Sequence, residues 1–184
     1  MPKHVITLST GHSPTETGAA AHGRKEFFEA ARLNAATAEI LRKRGYTVHL
    51  TNRADAGGTT PTHAARAIKA TGADLAVETH FNAYNGTAHG TECFYWHTSA
   101  KGKRLAQILC ERVSQAIGTV NRGAKPYKGG ERGVAIVRDT PMPAGLFEPL
   151  FLDNRAEAAK LDDTAKLATA YADALEQWAK EEAK

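Results

Sequence analysis

Two histidines and a small set of carboxylates stand where short apolar runs of this chain end. His12 follows Ser9-Thr10-Gly11 at the close of the run Val5–Ser9. His80 closes Leu75–His80, and Glu148 closes Leu146-Phe147-Glu148. Glu26 and Glu29 open a helix-periodic stretch just after the loop that begins at His12. Imidazole nitrogens together with a carboxylate oxygen form a ligand set that Zn²⁺ accepts. Each residue also has a plainer use. A histidine at a strand end serves as hydrogen-bonded filler, and an acidic residue at a helix start complements the dipole. Glu148 fits the plain reading least. It lies between Ala144-Gly145-Leu146-Phe147 and Pro149-Leu150-Phe151-Leu152, where a carboxylate costs stability unless it is paired or bound.

Those positions imply elements that carry them. Val5–Ser9 reads as a strand, followed by a polar loop from Thr10 to Gly23. Phe28, Leu33, Ala36, Ile40 and Leu41 recur at helical spacing between about Lys25 and Arg44, and Gly45 stops that helix. Tyr46–Leu50 alternates as a strand, and Thr60-Pro61 reads as the cap and first residue of a helix to Ala70. Leu75–His80 and Gly90–Trp96 are strands, and Leu105, Ile108, Leu109, Val113 and Ile117 mark an amphipathic helix. A glycine-rich loop with Arg122, Lys125 and Pro126 is expected next, then strands at Val134–Val137 and Gly145–Leu150, and a last helix from Asp163 to Lys180. Strands interleaved with helices predict an α/β fold: a single domain over 1–184, with a mostly parallel, twisted sheet of about five to six strands and helices on both faces. In such sheets a ligand site lies beyond the carboxyl ends of the strands, where His12, His80 and Glu148 are placed.

Composition limits the partners. At 184 residues, with 42% hydrophobic and 24% charged residues, the chain has the make-up of one globular domain rather than a disordered or low-complexity protein. Mean hydropathy is −0.42, and no apolar run approaches the ~18 residues of a membrane span. The net charge of +4 is modest and scattered, so a nucleic-acid partner is not expected. Cys93 and Cys110 sit in apolar patterns and read as buried thiols rather than a disulfide framework. The start Met1-Pro2-Lys3-His4 runs directly into Val5-Ile6-Thr7-Leu8, without the head, apolar core and cleavage site of a secretory signal. Synthesis in the cytoplasm without a signal peptide is therefore expected.

The same residues carry a family resemblance. Ser9-Thr10-Gly11-His12-Ser13, Gly23-Arg24-Lys25-Glu26, Leu75-Ala76-Val77-Glu78-Thr79-His80-Phe81-Asn82-Ala83, Gly90-Thr91-Glu92, Arg122-Gly123-Ala124-Lys125 and Pro143-Ala144-Gly145-Leu146-Phe147-Glu148 follow one another in a familiar order. Together they resemble the zinc-dependent N-acetylmuramoyl-L-alanine amidases of the third amidase family, which includes bacterial autolysins and phage endolysins. The likeness runs from about Val5 to Trp178. One departure is Gly11-His12-Ser13, where many members have a histidine followed by two glycines.

The resemblance implies one Zn²⁺ per chain held by His12, Glu26 and His80, with Glu148 as the catalytic glutamate. It implies hydrolysis of the amide between N-acetylmuramic acid and the L-alanine of the peptidoglycan stem peptide, by a protein acting on the cell wall after release. Glu29 is a second candidate for the carboxylate ligand, and His22 is a competitor near His12. Asn82 has the strand parity of His80 and is a candidate substrate contact. Glu78 shares that parity, as a partner of a ligand or of an arginine. Arg122, Lys125, Tyr84, Tyr95 and Trp96 are weaker candidates, and His4, His49, His63, His89 and His97 read as structural or exposed. Two other readings stay open: a peptidoglycan-binding module without catalysis, and a zinc peptidase cutting within the stem peptide. No separate wall-binding domain is expected, and the sequence leaves the oligomeric state open.

Overall fold

The computed structural model describes residues 4–130 and 135–183. A six-stranded sheet is built from β1 (Val5–Thr10), β4 (Thr47–Asn52), β5 (Leu75–Thr79), β6 (Thr91–Trp96), β7 (Asn121–Tyr127) and β8 (Ala144–Glu148), in the order β4-β1-β5-β8-β6-β7. A separate two-residue pair, β2 (Ala20–Ala21) with β3 (Arg24–Lys25), lies in the loop after β1. Strands β4, β1, β5 and β8 are mutually parallel. Strand β6 runs antiparallel to β8, and β7 follows β6 in parallel. The carboxyl ends of β1, β5 and β8 therefore meet the amino end of β6 on one edge.

Helices cover both faces. On one face α1 (Glu26–Lys43) and α3 (Ala100–Ile117) pack on α6 (Thr164–Glu182). Ile6, Leu8, Leu75 and Val77 of the sheet meet Leu33, Leu41, Leu109 and Tyr171 there. On the other face α2 (Pro61–Ala70) and the short α4 (Ala135–Asp139) cover Ala76 and Leu146 with Ile68 and Ile136. Because β5 is buried on both faces, it reads as a continuous apolar run up to its polar end. A one-turn helix α5 (Arg155–Ala158) leads into α6, whose N-cap Asp163 accepts from the Lys166 N–H at 3.0 Å. Cys93 and Cys110 are both free and buried.

Three expectations change. Arg122 to Tyr127 is not a loop but strand β7, at the outer edge of the sheet. An edge strand leaves one side unpaired, so Pro126 and Gly123 are tolerated there and hide the strand from an apolar-pattern reading. Residues 135–137 of the expected strand Val134–Val137 instead begin α4, and Val134 lies outside the described residues. A run of only a few apolar residues does not by itself distinguish strand from helix. In α1 the buried stripe is Phe27, Ala30, Leu33, Asn34, Thr37, Ala38 and Leu41, while Phe28 is 53% exposed.

Candidate metal centre

The centre is assembled at the shared sheet edge. His12 leaves β1 with φ +66°, a left-handed conformation that few non-glycine residues adopt and that turns its ring back over the strand ends. Glu26 is the first residue of α1. That helix is held in register by Asn34, whose amide donates to the Ser9 carbonyl at 3.1 Å and whose Oδ1 accepts from Thr79 Oγ1 at 2.7 Å. His80 follows β5, with its N–H donating to the Phe147 carbonyl of β8 at 2.8 Å. Glu148 ends β8.

These elements bring His12, Glu26 and His80 together, with one ligating atom from each lying within 4.8 Å of the others. The Glu26 carboxylate sits between the rings, 2.8 Å from His80 Nδ1 and 3.2 Å from His12 Nε2. It also accepts from the backbone N–H groups of Ala19 and Phe81, at 2.8 and 3.1 Å. The alternative carboxylate, Glu29, is turned away and bridges Arg24 at 3.0 Å and Arg32 at 2.5 Å. His22 is elsewhere too, with its Nε2 3.0 Å from the Asp153 carbonyl.

Two glycines make the rings fit. A Cβ on Gly11 would lie 2.4 Å from the His80 ring. A Cβ on Gly18, which has φ +71°, would lie 2.3 Å from Glu26 Oε2 and 2.5 Å from the His12 ring. The three donors thus occupy a cradle that side chains at these positions would fill.

The cleft over the cradle has a volume of about 620 Å³ and is lined also by Arg53, Asn82, Glu92 and Glu148. Asn82 is committed inside the protein: its Nδ2 donates to Glu92 Oε1 at 2.7 Å, and its Oδ1 accepts from the Ala83 N–H at 3.0 Å. Glu92, the register partner of Glu148 across β6 and β8, also accepts from Arg122 Nε at 2.7 Å. Arg122 lies 4.9 Å over the Phe151 ring. Sequence reasoning named neither Glu92 nor Arg53 as part of the site. Only the antiparallel pairing of β6 with β8 puts Glu92 opposite Glu148, and only the sheet order brings Arg53 near β5. Tyr84 is 81% exposed, whereas Tyr95 is in the core.

Electrostatics favour a cation here. Glu26, Glu78 and Glu92 are buried and crowd the same edge as Glu148. Burial disfavours the charge on Glu26, but hydrogen bonds from His12 and His80 outweigh it and hold its carboxyl well below the usual range. Burial would lower the pKa of His80, yet the Glu26 hydrogen bond and the nearby Glu78 and Glu148 push it up to about 10. Glu148 is pushed up to about 8 by burial, against the pull of His80 and with the repulsion of Glu26, Glu92 and Glu78. Its Oε2 has no hydrogen-bond partner among the described residues. Two imidazoles and a carboxylate in a buried, acid-rich cradle fit a zinc ion by donor type and by space.

Comparison with known proteins agrees with this architecture. The family described as N-acetylmuramoyl-L-alanine amidase matches residues 6–177. The endolysin of Bacillus phage SPP1 is 34% identical over 165 residues, covering 85% of this chain and 58% of that protein. The N-acetylmuramoyl-L-alanine amidase CwlM of Bacillus licheniformis is 29% identical over 166 residues, with 87% and 61% covered. The chain thus spans about three fifths of these two curated relatives. The catalytic domain of CwlV from Bacillus (Paenibacillus) polymyxa superposes with a TM-score of 0.82 at 22% identity, covering 96% of this chain and 98% of that one.

Proposed function

Because the chain belongs to the N-acetylmuramoyl-L-alanine amidase family, we propose that it hydrolyses the amide joining N-acetylmuramic acid to the L-alanine of the peptidoglycan stem peptide, with zinc held by His12, Glu26 and His80. The observation that carries this reading is the convergence of those three donors within 4.8 Å at the floor of the cleft that Glu148 lines. When bound there, zinc supplies Lewis acidity, making water acidic enough to deprotonate near neutral pH and polarising the amide carbonyl.

The chain's own residues supply the proton traffic. Glu148, whose carboxyl pKa is raised by burial well above the ordinary range before any cation is bound, lines the cleft where it can accept a proton and return it. Its carboxylate takes the proton of the attacking water as the new C–O bond forms. The same proton then goes to the stem-peptide nitrogen as the C–N bond breaks, because an amide nitrogen leaves poorly unless protonated. Asn82 and Arg122 hold Glu92 beside Glu148, and the neighbouring negative charge helps keep the proton affinity of Glu148 high. Asn82 acts here by bracing the rim of the cleft, its backbone N–H donating to the Leu150 carbonyl at 3.0 Å and its carbonyl accepting from the Leu152 N–H at 2.7 Å. The endolysin and amidase relatives favour action on the cell wall, and among the described residues no helix is long and apolar enough to cross a membrane.

Metal analysis and muropeptide digestion test the reading together. About one zinc per chain is expected in the wild type, lost in His80→Ala. Glu148→Gln should keep its zinc and lose about 10²–10⁴-fold in turnover, the range of a positioned acid–base group. A folded wild type that takes up no added zinc overturns the reading. So does a Glu148→Gln variant of full activity.

A further inference from the structure

The carboxylate of Glu78 is fully buried at the end of β5, and neither of its oxygens has a hydrogen-bond partner among the described residues. A buried carboxylate left in that condition is costly. Two other buried atoms without partners face it. Arg53 Nε lies 3.7 Å from Glu78 Oε1, and His80 Nε2 lies 3.5 Å from Glu78 Oε2. The gaps exceed by roughly 0.5–0.8 Å the N–H···O distances of about 2.9–3.0 Å typical of proteins, and each unpartnered donor faces an unpartnered carboxylate oxygen.

The placement follows from the fold. Glu78 and His80 are two residues apart and project to one side of the sheet. Arg53 comes just after β4, which lies beyond β1 from β5. Its guanidinium is anchored on the Thr59 carbonyl at 3.1 Å and forms part of the cleft wall. The ring of His80 is thus bounded on every side that matters. Glu26 meets Nδ1 at 2.8 Å, Glu78 faces Nε2, and Gly11 lies against the ring.

We propose that Glu78, itself anchored by Arg53, is the positioning residue of the metal centre: it accepts the Nε2 proton of His80 and so presents the Nδ1 lone pair to the metal shared with His12 and Glu26. This rests on the zinc reading above. An imidazole ligand whose other N–H is held by a carboxylate is fixed in ring orientation and tautomer, and removing such a partner typically lowers metal affinity about 10–100-fold. Arg53 balances the charge of the carboxylate and keeps it facing His80, so the cleft wall and the metal ligand are mechanically joined.

Zinc affinity measured by competition with a chromophoric chelator tests the proposal on the whole chain. Glu78→Gln, which keeps an acceptor oxygen, should weaken zinc toward the lower end of the ~10–100-fold range, and Glu78→Leu, which has none, toward the upper end. Arg53→Ala should weaken zinc as well while leaving every proposed ligand in place. Nitrogen NMR of the zinc-loaded wild type should show the His80 proton on Nε2. Zinc affinity of a folded Glu78→Leu within about threefold of wild type, far from the loss expected of a true outer partner, overturns the proposal. If that variant does not fold, a His80 proton found on Nδ1 in the loaded wild type overturns it equally. A wild type that binds no zinc sinks the zinc reading first, before any variant is compared.

Discussion

At the residue scale, the candidate site is a contest between burial and charge, and pH reveals the outcome. In the zinc-free chain Glu148 and His80 both have raised pKa values, about 8 and about 10 against ordinary values of 4.5 and 6.5. The folded state therefore holds both protons more tightly than the unfolded chain. The associated stability is complete below the ordinary values and is lost as pH rises through the folded ones. Glu26 works in the opposite sense: its lowered pKa contributes stability above its ordinary 4.5 that is lost as pH falls. The thermal midpoint of chelator-treated protein should fall as pH rises from about 5 to about 9. Glu148→Gln, which has no proton to lose, should flatten the lower part of that slope. Calorimetry across the pH range checks this, and a midpoint that climbs through the same window contradicts it.

At the element scale, the centre depends on how the ends of β1, β5 and α1 are tied together. Asn34 lies two turns into α1 on its buried stripe and is bonded to Ser9 of β1 and Thr79 of β5. Asn34→Ala removes the amide donor to the Ser9 carbonyl and one of the two partners of Thr79 Oγ1, which keeps the Tyr171 hydroxyl at 3.1 Å, with an expected cost of about 1–3 kcal/mol. Since Glu26 heads the same helix, zinc affinity should fall alongside the melting temperature. Gly18→Ala makes a different kind of test. Its Cβ would enter the space of Glu26 Oε2 and His12, so zinc binding should drop by at least about tenfold in a protein that still folds. Unchanged zinc affinity in Gly18→Ala would show that the loop relaxes at no cost to the ligands. At the far end of the chain, Asp163→Ala should remove about 0.5–2 kcal/mol by uncapping α6, without touching the metal site. Thermal melts and zinc titrations of the three variants separate these cases.

At the scale of the whole molecule, the sheet edge joins a rigid core to a polar cleft. The strand ends that carry His12, His80 and Glu148 are extensions of strands buried between two helical layers, so their positions are fixed by the core. A ligand that binds only the folded state stabilises it by mass action, by about 2.7 kcal/mol when present at one hundred times its dissociation constant. Zinc added to metal-stripped wild type should therefore raise the melting temperature, and the rise should vanish in His80→Ala. Scanning calorimetry with and without added zinc measures both. An equal shift in the variant would place the stabilising metal elsewhere.

Much of this was legible in the order of residues. Alternation of apolar strands with amphipathic helices is a local property, so the α/β class, the central strands and the long helices followed from it. His12, His80 and Glu148 at strand ends, and the motif order of the amidase family, were local as well. Edge strand β7 was hidden by Gly123 and Pro126, because an edge position relaxes the pattern by which strands are read. The choice between Glu26 and Glu29 needed the structure: both lie in the first turn of α1, and only packing shows one carboxylate between two imidazoles and the other between two arginines. Glu92 and Arg53 were out of reach for the same reason. Their neighbours at the site are set by which strand lies beside which, and the energy of bringing distant charges to one sheet edge belongs to the folded molecule rather than to any segment of its chain.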